Sequence, residues 1–441
     1  MKILFEGPKI ITMDDQGTIF EGNLLVEEDR ISYVGNALPP ADKVINCRGK
    51  LLIPGLIQTH VHLCQTLFRS QADDLELLDW LKKRIWPLEG AHDEESIYCS
   101  ALLGISEMLL GGTTSIVDME SVHHTHAAIT AIEESGIRAI TGKAMMDHGQ
   151  GVPPGLKETT SDSLQESVDL LEKWHGRAKG RIQYAFTPRF VVSCTEELLK
   201  EVAALSLKYG VKVHTHASEN KEEVELVEKE RGMRNVLYLD HIGLARPDLI
   251  LTHCIWLDNN EINLLQDRDV KVTHCPTCNM KLSSGYAPVP EMLKKGITVA
   301  LGADGAPCNN NLDMFNEMRM AGLMQKPLHG PTAMPAKEIF KMATLGGAKA
   351  MGLEKEIGSI EVGKKADLAL ISLDGPHVNP VEDVDLYSLL VYSIRSSDVM
   401  LTMVDGKILM EDRKLKTLEL ERIVRVSNKA LKRVTERAGF S

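Results

Sequence analysis

The sequence lacks three features, each of which would place it in a particular class of protein. It has no basic surplus, since 50 Lys and Arg stand against 62 Asp and Glu and the formal net charge is −12. The chain therefore lacks the excess positive charge that binding to nucleic-acid phosphates or to an anionic membrane surface requires. No apolar run reaches the roughly 18 residues of a membrane span, and no cleavage-like site follows the short apolar stretch near the N-terminus. These absences predict a cytoplasmic protein with a small-molecule partner.

The cysteines also lack a pattern. Eight are scattered over 441 residues, and so long a chain without densely packed cysteines is expected to keep its thiols reduced. Cys275 and Cys278 form the only C-x-x-C pair, and no second pair completes a structural zinc site. The cysteines therefore indicate neither a disulfide scaffold nor a zinc finger.

The chain does contain short apolar runs that alternate with amphipathic segments of helical length. This alternation is typical of parallel βα units, and the eight runs predict an α/β fold with a (β/α)8 TIM barrel. The runs are residues 51–62, 113–119, 138–146, 181–188, 211–218, 249–254, 271–276 and 298–304.

Short apolar runs bounded by turn signals lie at both ends of the chain, before residue 54 and again between residues 366 and 409. They predict strands of a small sheet, and strands from the two ends can pair if a compact middle brings the ends together. We therefore predict a discontinuous β-sandwich of residues 1–54 and 357–441 around a barrel of residues 55–356.

Histidines end several of the predicted barrel strands. His60 and His62 are spaced i, i+2, so on an extended strand both side chains point the same way and can reach one ion. Alone, the pair is also compatible with two exposed histidines at a strand end. His216 and His253 end later runs, and Asp304 ends the last. In a TIM barrel these strand ends gather at one face.

Three of these imidazoles and the carboxylate make a suitable set of ligands for one divalent ion. We predict that His60, His62, His216 and Asp304 bind it and leave a position open for water. Zn²⁺ is expected, with Fe²⁺ as the alternative. The competing interpretation, unrelated polar residues at strand ends, requires histidine at four of the strand ends by chance.

The segments around these residues resemble the amidohydrolase superfamily, and within it the chlorohydrolase and aminohydrolase group that deaminates purines, nucleosides and s-triazines. The resemblance covers nearly the whole chain and implies a hydrolase with one catalytic metal ion. The segments are residues 54–62 (PGLIQTHVH), 214–219 (HTHASE), 251–254 (LTHC), 274–276 (HCP), 301–305 (LGADG) and 358–368 (GSIEVGKKADL).

The resemblance also implies the chemistry of the site. A metal ion lowers the pKa of a bound water, and His253 and Asp304 are placed to take up the proton that this water loses. Glu219 would carry a proton to the ring nitrogen beside the attacked carbon, and ammonia would leave. The alternative role for Glu219 is to stabilise the start of a helix. A two-metal centre would need a lysine at the end of the fourth strand, where this chain has residues 187–189 (TPR).

Two groups of residues indicate different substrates. Residues 72–90, which include Trp86 and Glu89, resemble 5′-deoxyadenosine, methylthioadenosine and S-adenosylhomocysteine deaminases. In that resemblance Glu89 accepts hydrogen bonds from the ribose hydroxyls. Gln65 and Arg189 instead resemble guanine deaminases, in which matching residues bind the polar edge of the base.

His274, at the end of the seventh run, is a further candidate that could bind substrate or support the carboxylate of Asp304. Together these features predict a metal-dependent deaminase of an aminopurine nucleoside or base, best matched to the 5′-deoxyadenosine, methylthioadenosine and S-adenosylhomocysteine type. Three alternatives stay open: a guanine, oxopurine or pterin deaminase; an s-triazine amino- or chlorohydrolase; and a purine-binding protein without turnover. We also expect a homo-oligomer, either a dimer or a tetramer, with a heterocyclic amine as its small-molecule substrate.

Overall fold

Short strands form the beginning of the chain. The structure, a computed structural model, describes residues 1–149 and 151–440. Its first strands are β1 (Lys2–Glu6), β2 (Lys9–Ile11), β3 (Ile19–Glu21), β4 (Asn23–Glu27), β5 (Arg30–Gly35), β6 (Lys43–Asn46) and β7 (Lys50–Pro54).

Parallel strands follow through the middle of the chain, and their burial on both faces explains why the sequence shows them as continuous apolar runs. They are β8 (Leu56–His62), β9 (Thr113–Met119), β10 (Arg138–Gly142), β11 (Ala144–Met145), β12 (Ile182–Tyr184), β13 (Thr187–Pro188), β14 (Val213–Ala217), β15 (Leu249–His253), β16 (Lys271–His274), β17 (Val299–Leu301) and β18 (Asp304–Gly305).

These parallel strands close into a barrel. β8, β9, β10 and β12 pair in sequence order, and so do β14, β15, β16 and β17. On one side Phe186 bridges in parallel to Val213, which joins the two series. On the other side β18, which follows β17 in the chain, pairs in parallel with Val61 and His62 of β8. This pairing joins the last strand of the barrel to the first. The predicted TIM barrel is confirmed.

Helices follow most of the barrel strands, and further helices lie in the connections and in the C-terminal part. They are α1 (Leu77–Trp80), α2 (Trp86–Glu89), α3 (Glu94–Leu110), α4 (Thr125–Ser135), α5 (Thr160–Trp174), α6 (Glu196–Tyr209), α7 (Lys221–Arg231), α8 (Asn235–His241), α9 (Asn259–Asp267), α10 (Pro276–Lys281), α11 (Val289–Lys294), α12 (Ala306–Asn309), α13 (Met314–His329), α14 (Ala336–Lys341), α15 (Gly347–Met351), α16 (Leu386–Tyr392) and α17 (Leu420–Arg437).

Side-chain caps fix where several of these helices begin. Asp93 accepts the backbone N–H of Ser96 at the start of α3, and Asn220 accepts an N–H in the first turn of α7. Each cap satisfies a donor that the helix itself leaves without a partner. Among the described residues, no helix combines the length and the apolar character that crossing a bilayer requires.

Strands from the C-terminal part complete the sheets that the N-terminal part begins. β19 (Leu368–Ser372) pairs antiparallel with β7, and β20 (Val399–Val404), β21 (Lys407–Glu411) and β22 (Lys414–Leu415) extend the sheet. A separate sheet has the order β5-β4-β1-β6. Apolar side chains from both sheets, including Phe5, Leu52 and Met403, form one core. The fold is thus an α/β TIM barrel with a small β-sandwich from both ends, whereas the domain bounds 1–54, 55–356 and 357–441 remain a prediction.

Gly55 connects the sandwich to the barrel. It separates β7 from β8, and a Cβ at this position would lie 2.2 Å from the side chain of Thr114. Only glycine fits so close an approach without displacing its neighbour. The close packing fixes the direction in which β8 enters the barrel, and β8 ends at His60 and His62.

The last helix packs against the segments that follow the first barrel strand. α17 contacts α3 and the 3₁₀ helix Leu63–Phe68, with Ala430 and Val434 buried against Leu88. Near its end, Arg437 donates hydrogen bonds to the carbonyl of Ala91 and to the Asp93 carboxylate, both at 2.7 Å. The C-terminal part therefore supports the loop that connects β8 to α3.

Candidate active site

The carboxyl ends of the barrel strands surround a cavity with about 390 Å³ of atom-free space, counting its open mouth. One side of the wall is polar and the other is apolar. The cavity is lined by His62, Gln65, Leu77, Trp80, Leu81, Arg189, Phe190, His216, Glu219, His253, Leu282 and Asp304.

The four predicted metal ligands lie together at the base of this cavity. The ligand atoms of His60, His62, His216 and Asp304 are all within 4.8 Å of one another. Nε2 of His60 lies 3.1 Å from Oδ1 of Asp304, and Nε2 of His62 lies 3.4 Å from the same oxygen. Nε2 of His62 and Nε2 of His216 are 3.3 Å apart.

Hydrogen bonds at the opposite ring nitrogens assign the tautomers of two ligands. Nδ1 of His62 donates to the carbonyl of Met119 at 2.7 Å, and Nδ1 of His216 donates to the carbonyl of Arg189 at 2.6 Å. A neutral imidazole carries one proton, so each Nε2 has a free lone pair. Both histidines are thus oriented for metal binding by a carbonyl behind them, as is usual for histidine ligands.

A buried histidine behind the site orients His60. Nδ1 of His214 lies 3.3 Å from the carbonyl of Ile250, which can only accept, so Nδ1 carries the proton. Nε2 of His214 must then accept from Nδ1 of His60, 2.8 Å away. This leaves Nε2 of His60 and Oδ1 of Asp304 as two acceptors in close contact without a proton between them. A cation satisfies both, so the residues fit a divalent ion.

Burial keeps these imidazoles in the form that binds metal. It lowers the pKa of His60 to about 4 and lowers the pKa values of His62 and His216 below their usual range. The rings are therefore neutral near pH 7, and no proton has to be displaced from them when an ion binds.

Glu219 and His253 form the next group of polar side chains. Nδ1 of His253 donates to Oδ1 of Asn279 at 2.9 Å, so its Nε2 is an acceptor, and it lies 3.4 Å from Oε2 of Glu219. Burial, with added repulsion from Asp304 and Glu223, raises the pKa of Glu219 well above its usual value. This shift favours the protonated form of Glu219, which can donate a proton, next to a neutral base.

The backbone is strained where these groups emerge from the strands. Ser218, His253 and Asp304 all have positive φ, at 54°, 73° and 65°, a conformation that costs residues other than glycine about 1–3 kcal/mol each. Glu223, in the first turn of α7, compensates at one of these strand ends by accepting the N–H groups of Ser218 and Glu219 at 3.2 and 2.7 Å.

The two groups of residues that indicated different substrates contact each other. Arg189 donates to both oxygens of Glu89, at 2.6 and 3.2 Å, and Gln65 donates to one of them at 2.8 Å. Burial acts to raise the pKa of Glu89, but the guanidinium of Arg189 outweighs it, so the pKa lies below its usual value. Gln65 and Arg189 line the cavity and Glu89 does not. The ionised Glu89 holds both of them in place.

Besides Glu89 and the ligand His60, two more of the predicted site residues, Trp86 and His274, do not line the cavity. Trp86 is buried in an apolar cluster and Trp80 lines the cavity in its place. His274 is fully buried, and neither ring nitrogen has a hydrogen-bond partner among the described residues. Burial lowers the pKa of His274 to about 3, so the ring is neutral.

Sequence reasoning missed several residues of the site. His214 and Asn279 orient His60 and His253, and Trp80 forms part of the apolar wall. The i, i+2 spacing of His214 and His216 was an available signal, because alternate strand residues point to the same side. No local pattern marks Asn279.

A TIM barrel that holds three imidazoles, a carboxylate and a separate acid–base pair at its strand ends is the arrangement of a metal-dependent hydrolase. Residues 51–409 match the model of the amidohydrolase family. The chain belongs to this family.

Two relatives and one solved structure show how closely the chain follows known members. It is 44% identical to the 5′-deoxyadenosine deaminase of Methanothermobacter thermautotrophicus, over 98% of this chain and 99% of the relative. It is 41% identical to the 5-methylthioadenosine/S-adenosylhomocysteine deaminase of Moorella thermoacetica, over 96% and 97% of the two chains. The structure of an adenosine deaminase from Xanthomonas campestris with bound zinc superposes with a TM-score of 0.92 at 30% identity, covering 98% of both chains.

Proposed function

We propose that this protein is a zinc-dependent deaminase of 5′-deoxyadenosine or a closely related 5′-modified adenine nucleoside. The reaction replaces the exocyclic amine of adenine by an oxygen from water and releases ammonia. The observation that carries the proposal is the position of Glu219, whose Oε2 lies 3.4 Å from Nε2 of His253, next to the ligand set of His60, His62, His216 and Asp304. Binding alone would not need such a pair. The names of the most similar relatives supply the nucleoside class.

Each polar side chain has a role in moving protons. A divalent ion held by the four ligands supplies the positive charge that makes a water molecule nucleophilic near neutral pH. Asp304 and Nε2 of His253 accept the proton that the water loses. Glu219 protonates the ring nitrogen beside the carbon under attack, which makes that carbon more electrophilic. The departing amine receives a proton from His253 or Asp304, and Glu219 regains its own from the new hydroxyl group.

The cavity wall favours a nucleoside with an apolar 5′ substituent. Leu77, Trp80, Leu81, Phe190 and Leu282 form its apolar side, and burying a methyl or thioether group against them stabilises the complex by about 25 cal/mol per Å². Hydrogen-bonding groups of the substrate would lie toward the polar side.

Gln65 and Arg189 lie on that polar side and face the polar groups of the substrate, and Glu89, which does not line the cavity, acts on the sugar hydroxyls by fixing these two residues. Glu89→Ala is expected to raise KM for nucleosides at least tenfold and to change activity toward a free base much less. Equal losses for both kinds of substrate would contradict a role at the sugar.

A substrate panel tests the proposal. Metal-replete protein is mixed with 5′-deoxyadenosine, methylthioadenosine, S-adenosylhomocysteine, adenosine, adenine, guanine and an aminotriazine, while ammonia release is followed. We expect the highest kcat/KM for the 5′-modified nucleosides. Guanine or the triazine as the best substrate would replace the proposed substrate class, and no ammonia from any of them would overturn the enzyme assignment.

The assembly and location of the protein belong to the same proposal. We propose a homo-oligomer, a dimer or a tetramer, in the cytoplasm, and light scattering of the purified chain measures its mass directly.

The domain division at residues 54 and 357 is part of the proposal too. Limited proteolysis near these positions is its test.

A further inference from the structure

Asp304 belongs to more than one group of side chains that could hold a metal ion. Besides the histidine set, its carboxylate lies with Cys278 and Cys308 in a group whose ligand atoms are all within 4.8 Å of one another. The chemistry proposed above uses neither thiol. Within residues 1–149 and 151–440, every such group of three or more potential ligands contains Asp304.

The two oxygens of Asp304 face different neighbours. Oδ1 lies 3.1 Å from His60 and 3.4 Å from His62. Oδ2 lies 2.9 Å from Sγ of Cys278 and 3.8 Å from Nε2 of His253. A carboxylate can bind one ion with each oxygen, as carboxylates do in centres with two ions about 3.5–4 Å apart.

The two cysteines are held by helices that start directly after neighbouring barrel strands. Cys278 lies in α10, which follows β16, and Cys308 lies in α12, which follows β18. Both thiols are fully buried, whereas Asp304 lines the cavity. The Asp304 carboxylate therefore lies between the cavity and the two thiols.

We propose that Sγ of Cys278, Sγ of Cys308 and Oδ2 of Asp304 form a second metal site, which takes a thiophilic divalent ion such as Zn²⁺ in excess or Cd²⁺. Two sulfur ligands select a soft or borderline ion and disfavour Mg²⁺, which prefers oxygen. On binding, each thiol releases one proton to solvent and two sulfur–metal bonds form. Nothing is oxidised or reduced.

Occupation of this site inhibits the enzyme. The second ion takes the oxygen of Asp304 that faces His253, so Asp304 can no longer accept a proton from water. This consequence rests on the proposed deaminase function, whereas the binding itself does not. One equivalent of metal supports turnover, and a second equivalent of a thiophilic ion slows it, because His253 alone is then left to accept the proton.

Titration with Cd²⁺ tests the site. Protein loaded with one equivalent of Zn²⁺ is titrated while bound Zn²⁺ and Cd²⁺ are measured by equilibrium dialysis and sulfur-to-cadmium charge transfer is measured by ultraviolet absorption. We expect one further equivalent of Cd²⁺ to bind with a charge-transfer band and ammonia release to fall at least tenfold in parallel. In Cys278→Ser and Cys308→Ser, the affinity for this equivalent falls at least tenfold and the band weakens, while the Zn²⁺ remains.

Cys194→Ser is the matched control, because Cys194 is also a buried thiol but donates to the carbonyl of Met145, away from Asp304. It is expected to bind Cd²⁺ like the parent protein. No second equivalent, or a band that survives in both Cys278→Ser and Cys308→Ser, would overturn the site. Each variant is checked by circular dichroism, and two independent variants protect the test against one that does not fold. A failure of the proposed deaminase function would be detected separately, because the zinc-loaded protein would then release no ammonia even before Cd²⁺ is added.

Discussion

Glu219 is the side chain on which turnover depends most directly. It is buried, carries a raised pKa and lies 3.4 Å from Nε2 of His253. Glu219→Gln keeps the size of the side chain but removes its proton transfer, so kcat should fall by about 10²–10⁴-fold. KM is expected to change less than threefold. Steady-state kinetics with 5′-deoxyadenosine measure both, and a kcat within a factor of three of the parent value would remove Glu219 from the mechanism.

Glu317 tests how burial of a carboxyl group makes stability depend on pH. Burial raises its pKa from 4.5 to about 7. A raised pKa means that the folded state binds the proton more tightly, so this contribution is complete below about pH 4.5 and is lost as the pH rises through about 7. Relative to Glu317→Gln, the free energy of unfolding of the parent should fall by up to about 3 kcal/mol across that window.

Urea unfolding of both proteins at several pH values measures this difference. The comparison with the glutamine variant isolates Glu317, because all other titrating groups are shared. A difference that stays constant from pH 4.5 to 8 would show that Glu317 titrates normally in the folded protein.

The cluster of the four candidate ligands could be predicted from the sequence, whereas the contacts that orient their side chains could not. The i, i+2 spacing on a strand defines His60 and His62 as a pair that faces one point. His214 acts only because the fold places its Nε2 2.8 Å from Nδ1 of His60, 154 residues away in the chain. Trp86 stays a predicted substrate residue, but Trp80 lines the cavity, because the fold decides which face of this helical segment meets it.

At the level of elements, α17 supports the substrate side of the cavity. Arg437 donates to the carbonyl of Ala91, two residues after Glu89, and to Asp93. Loss of these hydrogen bonds costs about 1 kcal/mol, so Arg437→Gln should raise KM for nucleosides by about fivefold and leave kcat unchanged. Steady-state kinetics measure the split between the two parameters.

Arg433→Gln is the matched control for that variant. Arg433 lies one turn earlier in α17 and pairs with Glu95 at 2.8 Å, beyond the segment that carries Glu89. Its KM is expected to stay within twofold of the parent value. Equal effects of the two variants would mean that α17 contributes only general stability.

The apolar runs of the sequence predicted where the strands lie, but they did not predict that some runs are divided into two short strands. Residues 138–146 form β10 and β11, interrupted at Lys143, and residues 298–304 include β17 and the start of β18. At Gly302, between these last two strands, a Cβ would lie 2.8 Å from the carbonyl oxygen of His60. Such interruptions depend on how closely neighbouring strands approach, and a pattern of apolar residues contains no information about that distance.

Buried ion pairs join the barrel to the terminal sheets. Arg138, on β10, donates to both oxygens of Asp367 at 2.8 and 3.0 Å and also contacts Asp405. Removing one partner of a buried pair leaves an uncompensated charge, so Asp367→Asn should lower the free energy of unfolding by about 3 kcal/mol. Thermal and urea unfolding measure the loss.

The exposed pair of Lys83 and Asp79 supplies the control for this prediction. Because solvent screens an exposed pair, Lys83→Met should change the free energy of unfolding by no more than about 0.5 kcal/mol. A loss in Asp367→Asn as small as that in the control would show that Arg138 does not couple the barrel to the sheets.

The whole architecture was predictable because it repeats. Eight apolar runs and strand-like ends were enough for a barrel and a sandwich, and the resemblance of residues 54–62 and 301–305 placed the chain in its family. The cavity was not predictable in the same way. Its polar side depends on the contact of Glu89 with Arg189, which lie 100 residues apart, and each of these residues alone indicated a different substrate.

The pairing of β7 with β19 has a consequence for how the protein is made. Pro54 lies opposite Leu368 in the finished sheet, so a ribosome synthesises every barrel strand before β19, one of the two strands that pair with β7, leaves the exit tunnel. β7 leads through Gly55 directly into β8, which carries His60 and His62. The strand with the first two candidate ligands is therefore the first part of the barrel to be translated, while one edge of β7, the strand that leads into it, stays unpaired until the C-terminal part is made.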